Sequence, residues 1–383
     1  MGTRLPRALT IGRVIASRLI EWQRLHGRHD LPWQNTRDAY RIWLSEVMLQ
    51  QTQVDTVKPY YLRFVARFPD VRALAAAQPD EVLALWSGLG YYGRARNLHR
   101  CAREVLARHG GAFPDEARQL ARLPGIGRST AAAIAVFAFG RRAAILDGNV
   151  RRVLCRHAGL HGYPGERSVE SELWRIAEAE LPSREVERYT QALMDLGATL
   201  CVRTRPDCAA CPLSSDCRAL RDGVVAQLPT PRPRRSVPLR RCAMFVIRRG
   251  DEVLVERRAP SGVWGGLWSL PELELPPAAT GSAAIEAATA ADGLPDAVSL
   301  AHEVERRFGL RVTALRPMPP FDHAFTHFRL RVQPLACEPV ATGAAAEAPG
   351  RAWLALDAAA GAALPRPVKT LLQGLASAQA RAA

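Results

Sequence analysis

Four cysteines fall within residues 201–217, spaced Cys201-x6-Cys208-x2-Cys211-x5-Cys217. Four thiolates this close in the chain can wrap one metal centre. A zinc ribbon offers two Cys-x2-Cys knuckles, and here only Cys208 and Cys211 make such a pair. The uneven spacing suits a 4Fe–4S cubane, whose irons present four separate corners; zinc remains the rival. Arg203, Arg205 and Arg218 surround these cysteines, so the loop is also expected to meet phosphate. Cys101, Cys155, Cys242 and Cys337 are isolated and read as core residues.

Two carboxyls stand out for other reasons. "IWLSEVMLQQTQV", residues 42–54, reads as one helix, with Glu46 set among Ile42, Trp43 and Leu49. Apolar neighbours disfavour the ionised form and raise a carboxyl pKa. Such a group can donate a proton; the plain alternative is an acid on a helix surface. Asp147 lies in "LDGN", just before a helix carrying Arg151 and Arg152. It is either a helix cap or a carboxylate held ionised at the positive helix end, facing a developing cation. Between these acids runs "LPGIGRSTAAAIAVFAFG", residues 123–140. Gly125 and Gly127 permit a tight turn between two helices, whose backbone N–H groups can bind a phosphate oxygen without touching a base. A plain packing corner is the other reading.

These groups need a scaffold. The chain has 383 residues, enough for two domains. Fifty-two Lys+Arg against 37 Asp+Glu leave a net charge of +15, which calls for a polyanionic partner. No apolar run is long enough to span a membrane. Arg13 and Arg18 interrupt any signal-peptide core, and Pro6 stands where a myristoylation site needs Ser or Thr. Reduced cysteines and a cytoplasmic, nucleoid-associated location are therefore expected. Residues 11–221 read as helices. Residues 226–238, rich in proline and arginine, read as a linker between domain 1–225 and domain 239–374. The second domain is α+β: "CAMFVIRRGDEVLVERR" is two strands turning at Gly250-Asp251, "HFRLRVQPLAC" alternates like a strand, and Ala278 to Ala291 reads as a helix.

In this order the motifs resemble those of the helix-hairpin-helix glycosylase superfamily with an iron–sulfur cluster, and within it the adenine DNA glycosylase (MutY) family. The carriers are "LPWQ" (31–34), "WLSEVMLQQTQV" (43–54), "WSGLGYYGRARNL" (86–98), "LPGIGRSTA", "LDGNVRRVL", the four cysteines and "WGGLWSLPE" (264–272). The resemblance covers nearly the whole chain. It implies an all-α catalytic domain with a helix-hairpin-helix at 123–140 and a 4Fe–4S loop at 201–217, followed by an α+β Nudix-like domain. It also implies removal of adenine mispaired with 8-oxoguanine or guanine in double-stranded DNA by a monomeric enzyme.

By that resemblance Glu46 protonates an extruded adenine, and Asp147 steadies the oxocarbenium-like sugar electrostatically or captures it transiently, as paired carboxyls do in glycosidases. Gln51 and Tyr91 fill space around the lesion pair. Arg28 and Gln191 contact the adenine edge, and Trp33 packs near the pocket. Gly125, Gly127 and Ser129 line the DNA hairpin. Phe325, Thr326 and His327, with His323, match the loop that reads 8-oxoguanine, Thr326 replacing a commoner serine.

The sister family, endonuclease III, carries a nucleophilic lysine where Ser129 stands. A Schiff base needs an amine, and no lysine lies between Lys58 and Lys369. This favours a water-using glycosylase over a lyase. The Nudix box acids are missing from the stretch after Gly265, so recognition is expected there rather than metal-dependent hydrolysis. A lesion-binding protein without activity is the remaining alternative, and the intact Glu46–Asp147 pair argues against it.

Overall fold

The computed structural model describes residues 8–233, 237–276, 296–313, 315–340 and 348–382. The chain divides into two compact units, residues 1–77 with 94–234, and residues 78–93 with 235–383. The expected boundaries, 1–225 and 239–374, did not anticipate that residues 78–93 group with the later part of the chain. The physical reason is a set of polar contacts from Asp80, Ser87 and Tyr91 to Arg257, Leu364 and Thr326. Among the described residues no helix is long and apolar enough to cross a membrane.

The first unit is helical: α1 (Ala8–His26), α2 (Ala39–Leu49), α3 (Val54–Arg67), α4 (Val71–Ala76), α6 (Gly93–His109), α7 (Ala117–Leu120), α8 (Arg128–Phe139), α9 (Gly148–Ala158), α10 (Arg167–Ala179), α11 (Val186–Thr199) and α12 (Arg218–Arg221). Helix α8, "RSTAAAIAVFAF", is apolar nearly all round, and Thr130 to Val136 are buried. A helix of that kind belongs inside a bundle. It packs against α2, α7 and α11, and α9 packs against α10, α11 and α12. Leu19 of α1, Val136 of α8, Val150 of α9, Leu173 of α10 and Leu196 of α11 meet in one core.

Helix α2 ends sooner than the sequence suggests. Its last residue is Leu49, Gln50 caps it, and Gln51 has φ 59, so Gln51 stands on a turn and not on the helix face. The cause lies on α6. Nη1 of Arg94 donates to the carbonyls of Val47, Met48 and Gln50 at 3.0, 2.8 and 2.7 Å. These are carbonyls left unpaired at a helix end, and a guanidinium satisfies them with a favourable charge.

The hairpin glycines also differ from one another. Gly125 has φ +76, and a Cβ there would sit 2.6 Å from the Asn97 Cβ. Gly127 has φ −83, which any residue adopts, and a Cβ on it would meet nothing within 4 Å. Only the first is demanded by the fold.

The second unit contains α5 (Pro79–Trp86) and a mixed sheet of β1 (Leu239–Arg249), β2 (Glu252–Arg257), β3 (Trp268–Ser269), β4 (Glu272–Leu275), β5 (Arg316–Pro317), β6 (Phe321–Ala324), β7 (Arg329–Cys337) and β8 (Arg351–Ala355). Helices α13 (Ala297–Phe308) and α14 (Arg366–Ala382) complete it. The helix expected over residues 278–291 lies outside the described residues. Strands β1 and β2 form the expected antiparallel hairpin, while β1 pairs in parallel with β7, from Leu239↔Arg329 to Ile247↔Cys337. Residues 242–247 of β1 are all buried, as a central strand covered on both faces should be. Phe245 and Phe308 of α13 meet edge to face across that core.

Replacing Gly125 by alanine is expected to lower stability by about 1–3 kcal/mol, the ordinary penalty for forcing a left-handed residue, with the Asn97 contact adding to it. Gly127→Ala should stay within about 0.5 kcal/mol of the parent. Urea unfolding midpoints of the two variants check the contrast.

Candidate active site

Glu46 leaves α2 on the side that faces a cavity of about 750 Å³, within the roughly 300–1,000 Å³ of ordinary ligand pockets. The same cavity is lined by Arg28, Trp33, Leu49, Phe137 and Gln191. Three residues expected to surround the adenine thus meet the expected acid in one place. Ile42 and Trp43 are buried beside it, and no hydrogen bond to the Glu46 carboxyl relieves its burial among its pKa causes. Its pKa is pushed from the ordinary 4.5 up to about 8, first by loss of solvent and second by the charge of Asp147.

Asp147 does not line the cavity, yet it stands close enough to Glu46 to be felt electrically. It is the N-cap of α9 and accepts the Val150 N–H at 2.7 Å. The cap reading and the second-carboxylate reading therefore describe one geometry. Burial raises the Asp147 pKa, and it outweighs the downward pull of the Val150 and Asn149 N–H groups and of Arg152 and Arg151. A helix end by itself favours the ionised form; here desolvation is the larger effect. The asymmetry between the two acids survives, because Asp147 has N–H donors to its charged form and Glu46 has none among the causes of its shift.

Two supports escaped the sequence reading. Asp195 of α11 is fully buried. Its carboxylate accepts the Arg28 backbone N–H at 3.0 Å, the Arg28 Nε at 2.8 Å and the Gln191 Nε2 at 2.8 Å. One buried anion thus fixes both polar side chains of the cavity wall. The i, i+4 spacing of Gln191 and Asp195 was the available signal. The second support is Ser129, whose hydroxyl accepts the Leu146 N–H at 3.0 Å. It braces the residue before Asp147, and it offers no amine. At the cavity rim Arg37 pairs with Glu187 at 2.9 Å and Arg188 with Glu185 at 2.6 Å.

The four cysteines of 201–217 come together at the end of this unit, all free of disulfides. Burial raises the pKa of Cys208, Cys211 and Cys217, and the charge of Cys201 pushes each further. Nη1 of Arg156 lies 3.4 Å from the Cys201 Sγ. Among the described residues no three His, Cys, Asp or Glu side chains form a group tight enough to hold a metal ion as they stand. The donor set itself, four soft thiols within electrostatic reach of one another beside a cation, fits the chemistry of an iron–sulfur cluster.

In the second unit the expected recognition loop is the tip of the β6–β7 hairpin. The Phe325 N–H donates to the Phe328 carbonyl at 2.9 Å, leaving Thr326 and His327 exposed between them. Phe325 stacks on Phe328 at 4.5 Å, His323 meets Phe325 edge-on at 4.6 Å, and Trp264 lies 5.5 Å from both His323 and Phe325. Trp264, with φ 53, is a member of this cluster that the sequence reading did not assign. Tyr91, half exposed and with φ 48, puts its hydroxyl 3.2 Å from the Thr326 Oγ1. Its neighbour Tyr92 is buried.

Comparison with known proteins places both parts of the chain in known families. The family described as HhH-GPD superfamily base excision DNA repair protein matches residues 44–179, and the NUDIX domain family matches residues 243–374. The fold and site thus define a helix-hairpin-helix base excision repair protein that carries a Nudix domain. The chain is 31% identical over 361 residues to the adenine DNA glycosylase of Buchnera aphidicola subsp. Acyrthosiphon pisum, covering 94% of this chain and 97% of that one. It is 33% identical over 410 residues to the Mus musculus adenine DNA glycosylase, covering 93% and 77%, and 34% identical over 396 residues to the Homo sapiens one, covering 88% and 69%. The chain belongs to the adenine DNA glycosylase family.

A raised folded-state value makes ionised Glu46 a liability to folding. The penalty is absent below about pH 4.5, grows as pH rises, and is complete above about 8. Glu46→Gln should therefore melt no lower than the parent at pH 7.5, and its advantage should vanish at pH 4.5. Calorimetric Tm values at the two pH values check the sign.

Proposed function

We propose that this chain hydrolyses the N-glycosidic bond of adenine mispaired with 8-oxoguanine or guanine in double-stranded DNA. The observation that carries the reading is the Glu46 carboxyl, its pKa pushed up to about 8, on the wall of a cavity of about 750 Å³ with Asp147 near enough to be felt electrically. Adenine turned out of the duplex enters the cavity, where Arg28 and Gln191, braced by Asp195, meet its edge. Glu46 gives its proton to an imidazole-ring nitrogen of the base. The bond to the sugar then breaks, its electron pair leaving with adenine. The positive charge left on the sugar is met by the Asp147 carboxylate, until water adds to the sugar carbon and gives up a proton to the Glu46 carboxylate left by the first step.

Binding of DNA needs no base contact at the 123–127 hairpin, where open space above Gly127 lets a phosphate oxygen approach the start of α8. Gln51, projecting from a left-handed turn rather than a helix, fills the space left by the extruded base. Thr326 and His327, exposed at a hairpin tip with Tyr91 against them, read the opposite base. Cys201, Cys208, Cys211 and Cys217 would hold a 4Fe–4S cluster, which supplies a covalent cross-link of its loop when bound. With Ser129 engaged by the backbone and no lysine from 59 to 368, release ends at the free sugar without strand cleavage. The enzyme works as a monomer on chromosomal DNA in the cytoplasm.

A single-turnover assay on duplexes with adenine opposite 8-oxoguanine tests this. The parent should release adenine, with kcat/KM falling about tenfold per pH unit above pH 8 as Glu46 loses its proton. Glu46→Gln should release none while retaining mispair affinity; lost affinity would assign Glu46 to structure. The double replacement of Thr326 and His327 by alanine should erode the preference for 8-oxoguanine over guanine by roughly tenfold or more, and an unchanged ratio would retire that assignment.

A further inference from the structure

Tyr91 occupies a backbone conformation that a bulky residue avoids, and such strain lasts only where the surroundings over-determine it. Its own turn supplies one constraint, the Trp86 indole N–H donating to the Gly90 carbonyl at 3.1 Å. The others come from far along the chain. Ser87 Oγ donates to the Leu364 carbonyl at 2.9 Å. At the start of α5, the Asp80 carboxylate takes both terminal nitrogens of Arg257, one at 3.0 Å. The same carboxylate accepts the Trp268 indole N–H at 3.3 Å, and the Arg257 guanidinium lies over that indole at 5.5 Å. Residues 78–93 are thus tied to the sheet near β2 and β3 at one end and to the β6–β7 hairpin tip at the other.

An ion pair this exposed adds little to folding. Its two-pronged geometry instead fixes direction. We propose that Asp80, Arg257 and Ser87 are positioning residues for partner discrimination: they strap residues 78–93 to the sheet so that Tyr91 is presented against Thr326 at the height where the base opposite adenine is read. The inference rests on the reading of Thr326 and Tyr91 given above. It assigns the strap no part in proton transfer.

The test compares the parent with Asp80→Arg, Arg257→Asp and the double swap of the two. Adenine release opposite 8-oxoguanine and opposite guanine is measured for each, together with hydrogen exchange of residues 87–92 in the free protein. Each single variant should lose roughly three- to tenfold of its preference for 8-oxoguanine, with release opposite guanine unchanged and exchange of 87–92 faster. The double swap should recover both. A merely structural role would lower both substrates together and leave the ratio alone. Unchanged exchange in the single variants overturns the strap, and faster exchange with an unchanged ratio overturns its role in discrimination. If the parent itself shows no preference, the reading of Thr326 fails; faster exchange in the single variants would then still uphold the tether, which separates the two failures.

Discussion

The site depends on one unfavourable act, the partial burial of the Glu46 carboxyl, with no hydrogen bond among the causes of its pKa shift to offset it. Everything near it serves to keep that state tolerable and useful. Trp43 and Met48, fully buried, hold α2 in place, and Arg94 closes its end within one turn of the acid. Asp147, which adds to the pressure on Glu46, has its own charge offset by the first N–H groups of α9. Burial raises both pKa values, and only Asp147 has N–H donors and arginines that pull its value back down. An ionised Glu46 costs the fold stability, because its charged form is disfavoured where it sits.

Specificity is distributed differently. The cavity wall is set by a single buried anion, Asp195, which orients a guanidinium and an amide together. The hairpin tip is set by stacked rings under it: Phe328 is buried, Phe325 lies on it, and Trp264 and His323 lean against the pair. Thr326 and His327 are exposed, while the rings beneath them are packed. Binding residues on loops held by a rigid scaffold are a common solution.

Local chemistry was legible in the residues, and long-range chemistry was not. Asp147 announced itself by its place before Gly148 and Asn149, the β1–β2 hairpin by Gly250-Asp251, and the cysteine loop by its spacing. Helical periodicity carried α2 past its true end, since the residue that stops it, Arg94, is distant in the chain. The hairpin glycines looked alike, and only the approach of Asn97 separates them. The spacing of Asp195 from Gln191 hinted at one of its partners, but nothing local showed that Arg28, far away in the chain, would reach it. The upward shift of Asp147 was not legible for a related reason: a helix end can be read from residue order, whereas loss of solvent depends on what the rest of the chain brings near.

The parallel pairing of β1 with β7 bears on how the protein is made. Parallel neighbours cannot be joined by a short turn, and here the intervening chain includes β2 to β6 and α13. During synthesis β1 leaves the ribosome with its buried run of Cys242 to Ile247 uncovered, and it waits for Arg329 to Cys337 before its central ladder can form. Contacts of such separation form slowly. The helical bundle, complete much earlier, is a finished body while Asp80, Ser87 and Tyr91 still lack the partners that the nascent sheet will bring them.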